Sequence, residues 1–509
     1  MSEPTAVRKT WWVRRALGIL GWGALLLGGL IVLRGYFAFR DRLPGYTLAL
    51  DRDGQAAKMS PRPLRVGFAR AKITPDLTDP KHPVWLAGFN QHRAATGVHD
   101  DLWAIACVID DGYSRLGMVA LDAIGFFQED VVRVRRRLAG GLNLDYTIIC
   151  STHNHSTPDL MGLWGPNYLH TGVDQRYREQ VIAACAGVLS GAVSNLAPAR
   201  VAIHEIPTDP HGLETDTRKP EVYDPDIRVL HFVSPATGRT LGSIIGWADH
   251  PETPWAGNTE ITADFCGYLR QSLEEGVEVN GAKIVEGVGG IHLYVNGAVG
   301  GLMSTTPGVT VHDPYLNQDF KPASHEKARA LGRQLASRIL PHLTNTNAEF
   351  LQYLPISIHA RTITAHLANN GYLLAGYLGL LDRGYVGWRT LRSEVGLVAL
   401  GEVSIACVPG EIYPEIVNGG IEHPPGADFP DEVVEVPPLR ALMPGRVKFV
   451  FGLANDEIGY LIPKTEWDAK PPYAYGVKHA PYGEINSVGP DAAGAVHAAL
   501  KELCRTSKP

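Results

Sequence analysis

Four stretches of this chain carry a potential metal ligand just past a run of apolar residues. Tyr146–Ser151 reads as a buried strand and leads into His153-Asn-His155, whose imidazoles share a face if the chain stays extended. The run Leu241–Ala248 ends in Asp249-His250-Pro251, and Val403–Val408 ends in Pro409-Gly410-Glu411. A further run, KFVFGLANDEIGY, leads through a loop to Tyr460. Two imidazoles and a carboxylate, with one position open for water, form a common ligand set of catalytic zinc. Each residue alone also has a plainer reading: a satisfied histidine near the core, a glutamate starting a helix, a packed tyrosine. The His-x-His pair carries no weight as a motif, because 19 histidines in 509 positions give about 0.7 such pairs by chance. Its location carries the signal, since α/β sheets gather their active sites at the carboxyl ends of strands. The signatures GxSxG, HExxH and GxxxxGK[ST] are absent, and Gly287-Val-Gly-Gly290 reads as a turn.

These residues must be positioned by a large α/β body. Strands are expected at Leu64–Ala69, Leu102–Ile109, Leu116–Leu121, Tyr146–Ser151, Val201–Ile206, Ile227–Val233, Leu241–Ala248, Leu397–Val408 and Val447–Leu453. Helices are expected at Glu129–Leu138, Gln175–Ser194, Phe265–Glu274 and Glu326–Leu343. With no internal repeat and no second linker, residues 63–509 read as one α/β domain, a mixed sheet flanked by helices. Six cysteines without CxxC spacing sit in apolar runs such as WAIACVI and read as buried thiols, which fits poorly with an oxidising compartment.

Ahead of the body lies an uncharged stretch, ALGILGWGALLLGGLIVL, over residues 16–33. At 1.5 Å per residue it spans about 27 Å, enough for a bilayer core. Arg8, Lys9, Arg14 and Arg15 precede it, and Trp11, Trp12, Tyr36, Phe37 and Phe39 flank it. No small-residue cleavage site follows, so the stretch reads as an uncleaved transmembrane anchor. Residues 1–15 are then cytoplasmic, 34–62 a tether, and the body extracytoplasmic. The net charge of −6 divides into +5 over residues 1–42 and −11 beyond. An acidic body excludes nucleic acid as the main partner.

Around the same residues the sequence resembles the neutral/alkaline non-lysosomal ceramidase family, in order over residues 65 to 500. VGFARAKITP resembles the family's G-x-G-x-A-D-I-T, STHNHSTP its ATHTHSGP, DHPET its V-H-P-T, and TADFCGY its G-D-N-K-G-Y. VPGE resembles its P-G-E, YLIP its Y-V-T, and YLHTGVDQRYREQVI the segment that follows its His-x-His pair. The resemblance implies a zinc ion on His153, His250, Glu411 and Tyr460, with His155 beside the metal-bound water. Arg218 in DTRKP and Tyr482 in PYGE would line the pocket and bind substrate oxygens. Two departures stand out. Met303 aligns with the serine often assigned as nucleophile, and Ser304 falls one position late. The 27 residues after Tyr482 are far fewer than the roughly 100 that the family's immunoglobulin-like domain needs.

The resulting expectation is a membrane-anchored zinc hydrolase that cleaves an amide in a ceramide-like N-acyl lipid with zinc-activated water. Its partners would be a lipid-like small molecule and the membrane. A different class of reading follows from Met303: a degenerate member acting as a membrane-bound binding protein. A metal-dependent phosphoesterase is a third, although it would want more aspartates and a second metal.

Overall fold

Strands such as Trp103–Asp110 (WAIACVID) are apolar on both faces, so both faces must be covered. The computed structural model describes residues 5–506 apart from 302, with side chains from residue 11, so the side chains of Arg8 and Lys9 in the basic flank lie outside it. Its longer strands form three sheets around one shared core. The first runs Tyr146–Ser151, Arg115–Leu121, Trp103–Asp110, Arg65–Lys72 and Ala197–Pro198. The second runs Ile291–Asn296, Thr240–Trp247, Ile227–Val233 and Arg200–Ile206. The third runs Ala49–Arg52, Ile356–His366, Thr390–Leu400, Val403–Cys407 and Val447–Phe451. Inward residues of all three, including Cys107, Ile148, Phe232, Leu293, Ile405 and Phe449, make one apolar cluster. Helices cover the outer faces: Gln175–Ser194 the first sheet, Asp264–Glu274 and His325–Leu343 the second, Ala492–Thr506 the third. The class and mixed strand order match expectation, but three short sheets replace one. They cover each other's inner faces and leave the outer faces to helices.

Each sheet is antiparallel except at one edge, where a single parallel pair lies. These pairs are Arg115–Leu121 with Tyr146–Ser151, Thr240–Trp247 with Ile291–Asn296, and Val403–Cys407 with Val447–Phe451. Parallel neighbours need a crossover, and helices Gln128–Leu138, Asp264–Glu274 and Pro414–Asn418 lie in the three crossovers. The carboxyl ends of the three pairs meet and are stitched together. Asn296 Nδ2 donates to Thr152 O (3.0 Å) and Asp249 O (2.9 Å), while Asn455 Oδ1 accepts from Ile149 N (2.8 Å). Gly452 N donates to Asn296 O at 2.9 Å.

Three local expectations change. Leu397–Val408 is not one strand but two, turned at Gly401, whose φ of 58° suits glycine. The N-terminal helix is longer than 16–33. It runs Thr5–Ala38, and Trp11–Ala38, with an 18-residue stretch of mean hydropathy 2.2, is long and apolar enough to cross a membrane. Finally, the segment read as a tether is built into the body. Asp41 is bidentate with Arg392 (2.8 and 2.7 Å), Arg42 pairs with Asp382, Leu43 is buried, and Ala49–Arg52 forms an edge strand. Its polar composition does not reveal partners more than 300 residues away. All six cysteines are buried thiols, as expected. Burial pushes the pKa of Cys107, Cys150 and Cys266 well up, which keeps them unreactive.

Candidate metal and catalytic site

The four residues singled out after strands converge where the parallel edges meet. His153 follows Tyr146–Ser151 with a left-handed backbone (φ 66°), which turns the chain sharply off the strand. Its Nδ1 lies 2.7 Å from Ile124 O, at the end of the neighbouring parallel strand. His250 Nδ1 lies 2.6 Å from Met303 O in the same manner. A carbonyl only accepts, so each Nδ1 carries the proton and each Nε2 points inward. Both Nε2 atoms meet Glu411 Oε2, at 3.2 Å from His153 and 3.0 Å from His250, and Tyr460 Oη lies 3.3 Å from His250 Nε2. All four residues are buried.

Lone pairs aimed at a carboxylate oxygen require a positive charge between them, a proton or a metal ion. The electrostatics agree. Burial would raise the Glu411 pKa, but His153 and His250 hold it far below the usual carboxylate range. Burial opposes charge on His250 too, yet bonding to Glu411 with the fields of Glu252 and Asp249 pushes its pKa up to about 9. One ring nitrogen from each of His153, His155 and His250 lies within 4.8 Å of the other two, and this buried group can hold a metal ion.

His155 is set differently. Burial pushes its pKa down to about 4 against the pull of Glu252. Its Nδ1 is 3.1 Å from Glu252 Oε2 but poorly aligned for a hydrogen bond, and its Nε2 has no protein partner. Gly88 closes over this ring. A Cβ there would lie 2.4 Å from the imidazole, so only glycine fits. Glu252 was missed in the sequence. It lies two residues past His250, and its only signal was a third acidic or imidazole side chain within DHPET. Although buried, it stays ionised through the neighbouring His155 and His250.

Ser304 belongs to the site. Residues Met303–Ser304 pair with Thr215–Asp216 as extended chain, so their side chains alternate. Met303 is wholly buried, while Ser304 lines the cavity with Glu252 and bonds Thr306 O at 2.8 Å. Tyr482, half-exposed, lies over Tyr460 with ring centres 6.1 Å apart. Burial near Glu411 and Glu252 pushes its pKa up to about 12. Arg218 does not line the cavity, contrary to expectation. Its guanidinium is bidentate with Glu484 (2.7 and 2.7 Å), donates to Glu466 O and stacks on Tyr413. It anchors the helical turn Tyr482–Ile485 instead.

The cavity has two lobes that share Gly88, His155, Tyr460 and Tyr482. One is apolar, walled by Phe127, Met161, Trp164, Tyr372, Leu381 and Leu391 among others. The other carries polar groups from Asn90, Thr217, Glu252, Ser304 and Thr306 beside Phe89 and Trp255. The cluster therefore sits at the junction of a greasy and a polar space, the arrangement an amphiphile with a central reactive group requires.

No family model matches the sequence. Solved structures with a similar fold include two ceramidases. The neutral ceramidase from Pseudomonas aeruginosa aligns with a TM-score of 0.62 and 17% identity over 87% of this chain and 74% of that one. A ceramidase complexed with C2 aligns with a TM-score of 0.64 and 17% identity over 88% and 76%. The chain has the fold of these ceramidases.

Proposed function

We propose that this chain is a membrane-anchored, zinc-dependent amidase that cleaves the amide of a ceramide-like N-acyl lipid. The observation that carries the reading is four side chains at metal-ligand spacing between an apolar and a polar lobe. The donor set fits zinc. Tetrahedral ligand atoms bonded at about 2.0 Å lie about 3.3 Å apart, and the contacts among His153, His250, Glu411 and Tyr460 are 3.2, 3.0 and 3.3 Å. The Nδ1–carbonyl bonds hold both imidazoles in the tautomer a metal needs. When bound there, zinc supplies a Lewis acid for the carbonyl and lowers the pKa of water to about 7.

The acyl chain lies in the apolar lobe and the amine-bearing head group in the polar one. Tyr482 keeps its proton at neutral pH and donates to the carbonyl oxygen as negative charge builds there. His155, uncharged at pH 7, takes a proton from the attacking water and passes it to the leaving nitrogen. Glu252, ionised and 3.1 Å from Nδ1, stabilises the imidazolium in transit. Water's oxygen bonds to the carbonyl carbon, the C–N bond breaks, and the amine leaves carrying the relayed proton. Ser304 gives its proton to Thr306 O and lines the polar lobe beside Glu252, and attack by water leaves no step for a serine nucleophile. Arg218 positions Tyr482 through Glu484. The basic flank of the N-terminal helix keeps that terminus cytoplasmic and the body on the far side.

The test is a screen of N-acyl amides against the purified full chain, with and without chelator. Turnover abolished by chelator and restored by zinc supports the reading. Chelator-insensitive turnover refutes the metal role. Bound zinc without turnover on any N-acyl amide favours a binding protein, the reading that the displaced family serine suggests.

A further inference from the structure

The helix Asn370–Leu378 touches the N-terminal helix inside its apolar stretch. Tyr377 Oη donates to Ile31 O at 3.3 Å, and Gly35 admits the Tyr377 ring to 3.8 Å of where a Cβ would stand. Ile31 is seven residues before Ala38, about 10 Å down the helix axis. Anything packed there lies beside the membrane-crossing stretch. Its outward face is apolar: Leu374 is 57% and Leu378 40% exposed. Nearby Trp388, 69% exposed, packs on Phe39 at 5.6 Å, and Tyr36 and Phe37 complete an aromatic rim of the kind found at bilayer boundaries. On its inner side the same segment supplies Tyr372, Leu381, Tyr385 and Leu391 to the apolar lobe.

We infer that Leu374, Leu378 and Trp388 form a second membrane-seated element, and that the apolar lobe takes its acyl chain sideways from the bilayer. Continuity with the N-terminal helix selects a lipid bilayer as the occupant of this face. The inference rests on the amidase reading for what enters the lobe, but not for the docking.

Because all six native cysteines are buried, Leu374→Cys accepts a thiol-reactive fluorophore selectively. The full-length variant is reconstituted in phosphatidylcholine nanodiscs with nitroxide lipid. A label at 374 is expected to be quenched much more than one at Glu286→Cys, in the hairpin Gly276–Glu286. Equal quenching at both positions overturns the docking. So does a label at 374 that is shielded yet unquenched, with energy transfer between labelled copies, because a second chain then covers the face. In the activity arm, Leu374→Asp with Trp388→Asp should lower turnover of a long-chain amide in the bilayer roughly tenfold, and leave a water-soluble short-chain amide unchanged. Equal rates on both substrates overturn sideways entry. Absence of turnover by the unmodified chain defeats the amidase reading instead, and the quenching still decides the docking.

Discussion

Two groups of buried histidines occupy opposite ends of the parallel strands, and they behave as different chemical species. At the carboxyl ends, His153 and His250 face Glu411, and His250 is pushed up to about 9. Toward the amino ends, His231 and His292 lie beside Thr240, Ser243 and Gly289, with His204 nearby. Among the described residues, no carboxylate pairs with this second group. Burial dominates, helped at His231 by His292 and His204, at His204 by His342 and at His292 by Arg70, and the pKa values fall to about 3 for His231 and about 4 for His204 and His292. These rings stay neutral, and His231 and His292 are held by neutral hydroxyl and carbonyl groups. Burial is common to both groups. The buried acid at one end alone turns imidazoles into a cation-holding site.

The contrast can be broken by removing one histidine at a time. His153→Ala or His250→Ala should reduce bound zinc from about one per chain to none and hydrolysis to background, read by metal analysis and turnover. Full zinc occupancy in both variants would sink the site assignment. Glu252→Gln keeps the shape but not the charge beside His155. It should lower kcat by roughly ten- to a hundredfold with zinc retained, and unchanged kcat would remove Glu252 from the proton path. Ser304→Ala loses one hydrogen bond and should cost roughly fivefold. A loss as large as that of His250→Ala would make the serine hydroxyl the nucleophile.

His231→Phe, in the second group, should leave zinc and kcat untouched and act only on the pH dependence of stability. The unfolded ring titrates near 6.5, the folded one at about 3. Above pH 6.5 neither state binds the proton. Below it the unfolded state does and the folded state does not, so stability falls with acid. Between pH 7 and 5 the loss from this one group is about 2 kcal/mol. The variant's stability, read by urea unfolding, should decline less steeply by that amount. An identical decline would mean the ring is protonated in the fold, and the distinction between the two groups would collapse.

Much of this was legible residue by residue. The helices Gln175–Ser194 and Asp264–Glu274 appear within a residue of expectation, because their apolar periodicity and first turns are local properties. The four residues after strands were legible for the same reason, since an apolar run followed by a polar residue marks a strand end wherever the strand goes. Arg218 misled because an arginine in a loop gives no sign of its partner, and Glu484 is 266 positions away. The segment read as a tether, residues 34–62, misled likewise, since a polar segment looks like a linker until Arg392 and Asp382 come to meet it.

The sequence by itself determined an apolar N-terminal helix, the strand-end location of His153, His250, Glu411 and Tyr460, and six thiols destined for the core. Period and composition within a few residues suffice for each. Tertiary structure alone decided that three parallel edges would meet, so that His153, His250, Glu411 and Tyr460, spread over some 300 positions, come together with both imidazoles on one Glu411 oxygen and the tyrosine hydroxyl on His250. It also decided which of Met303 and Ser304 faces the cavity, because a side chain's face depends on the register of its strand with a partner nearly 90 residues earlier. Register and convergence are properties of the paired and packed chain, and no window of sequence contains them.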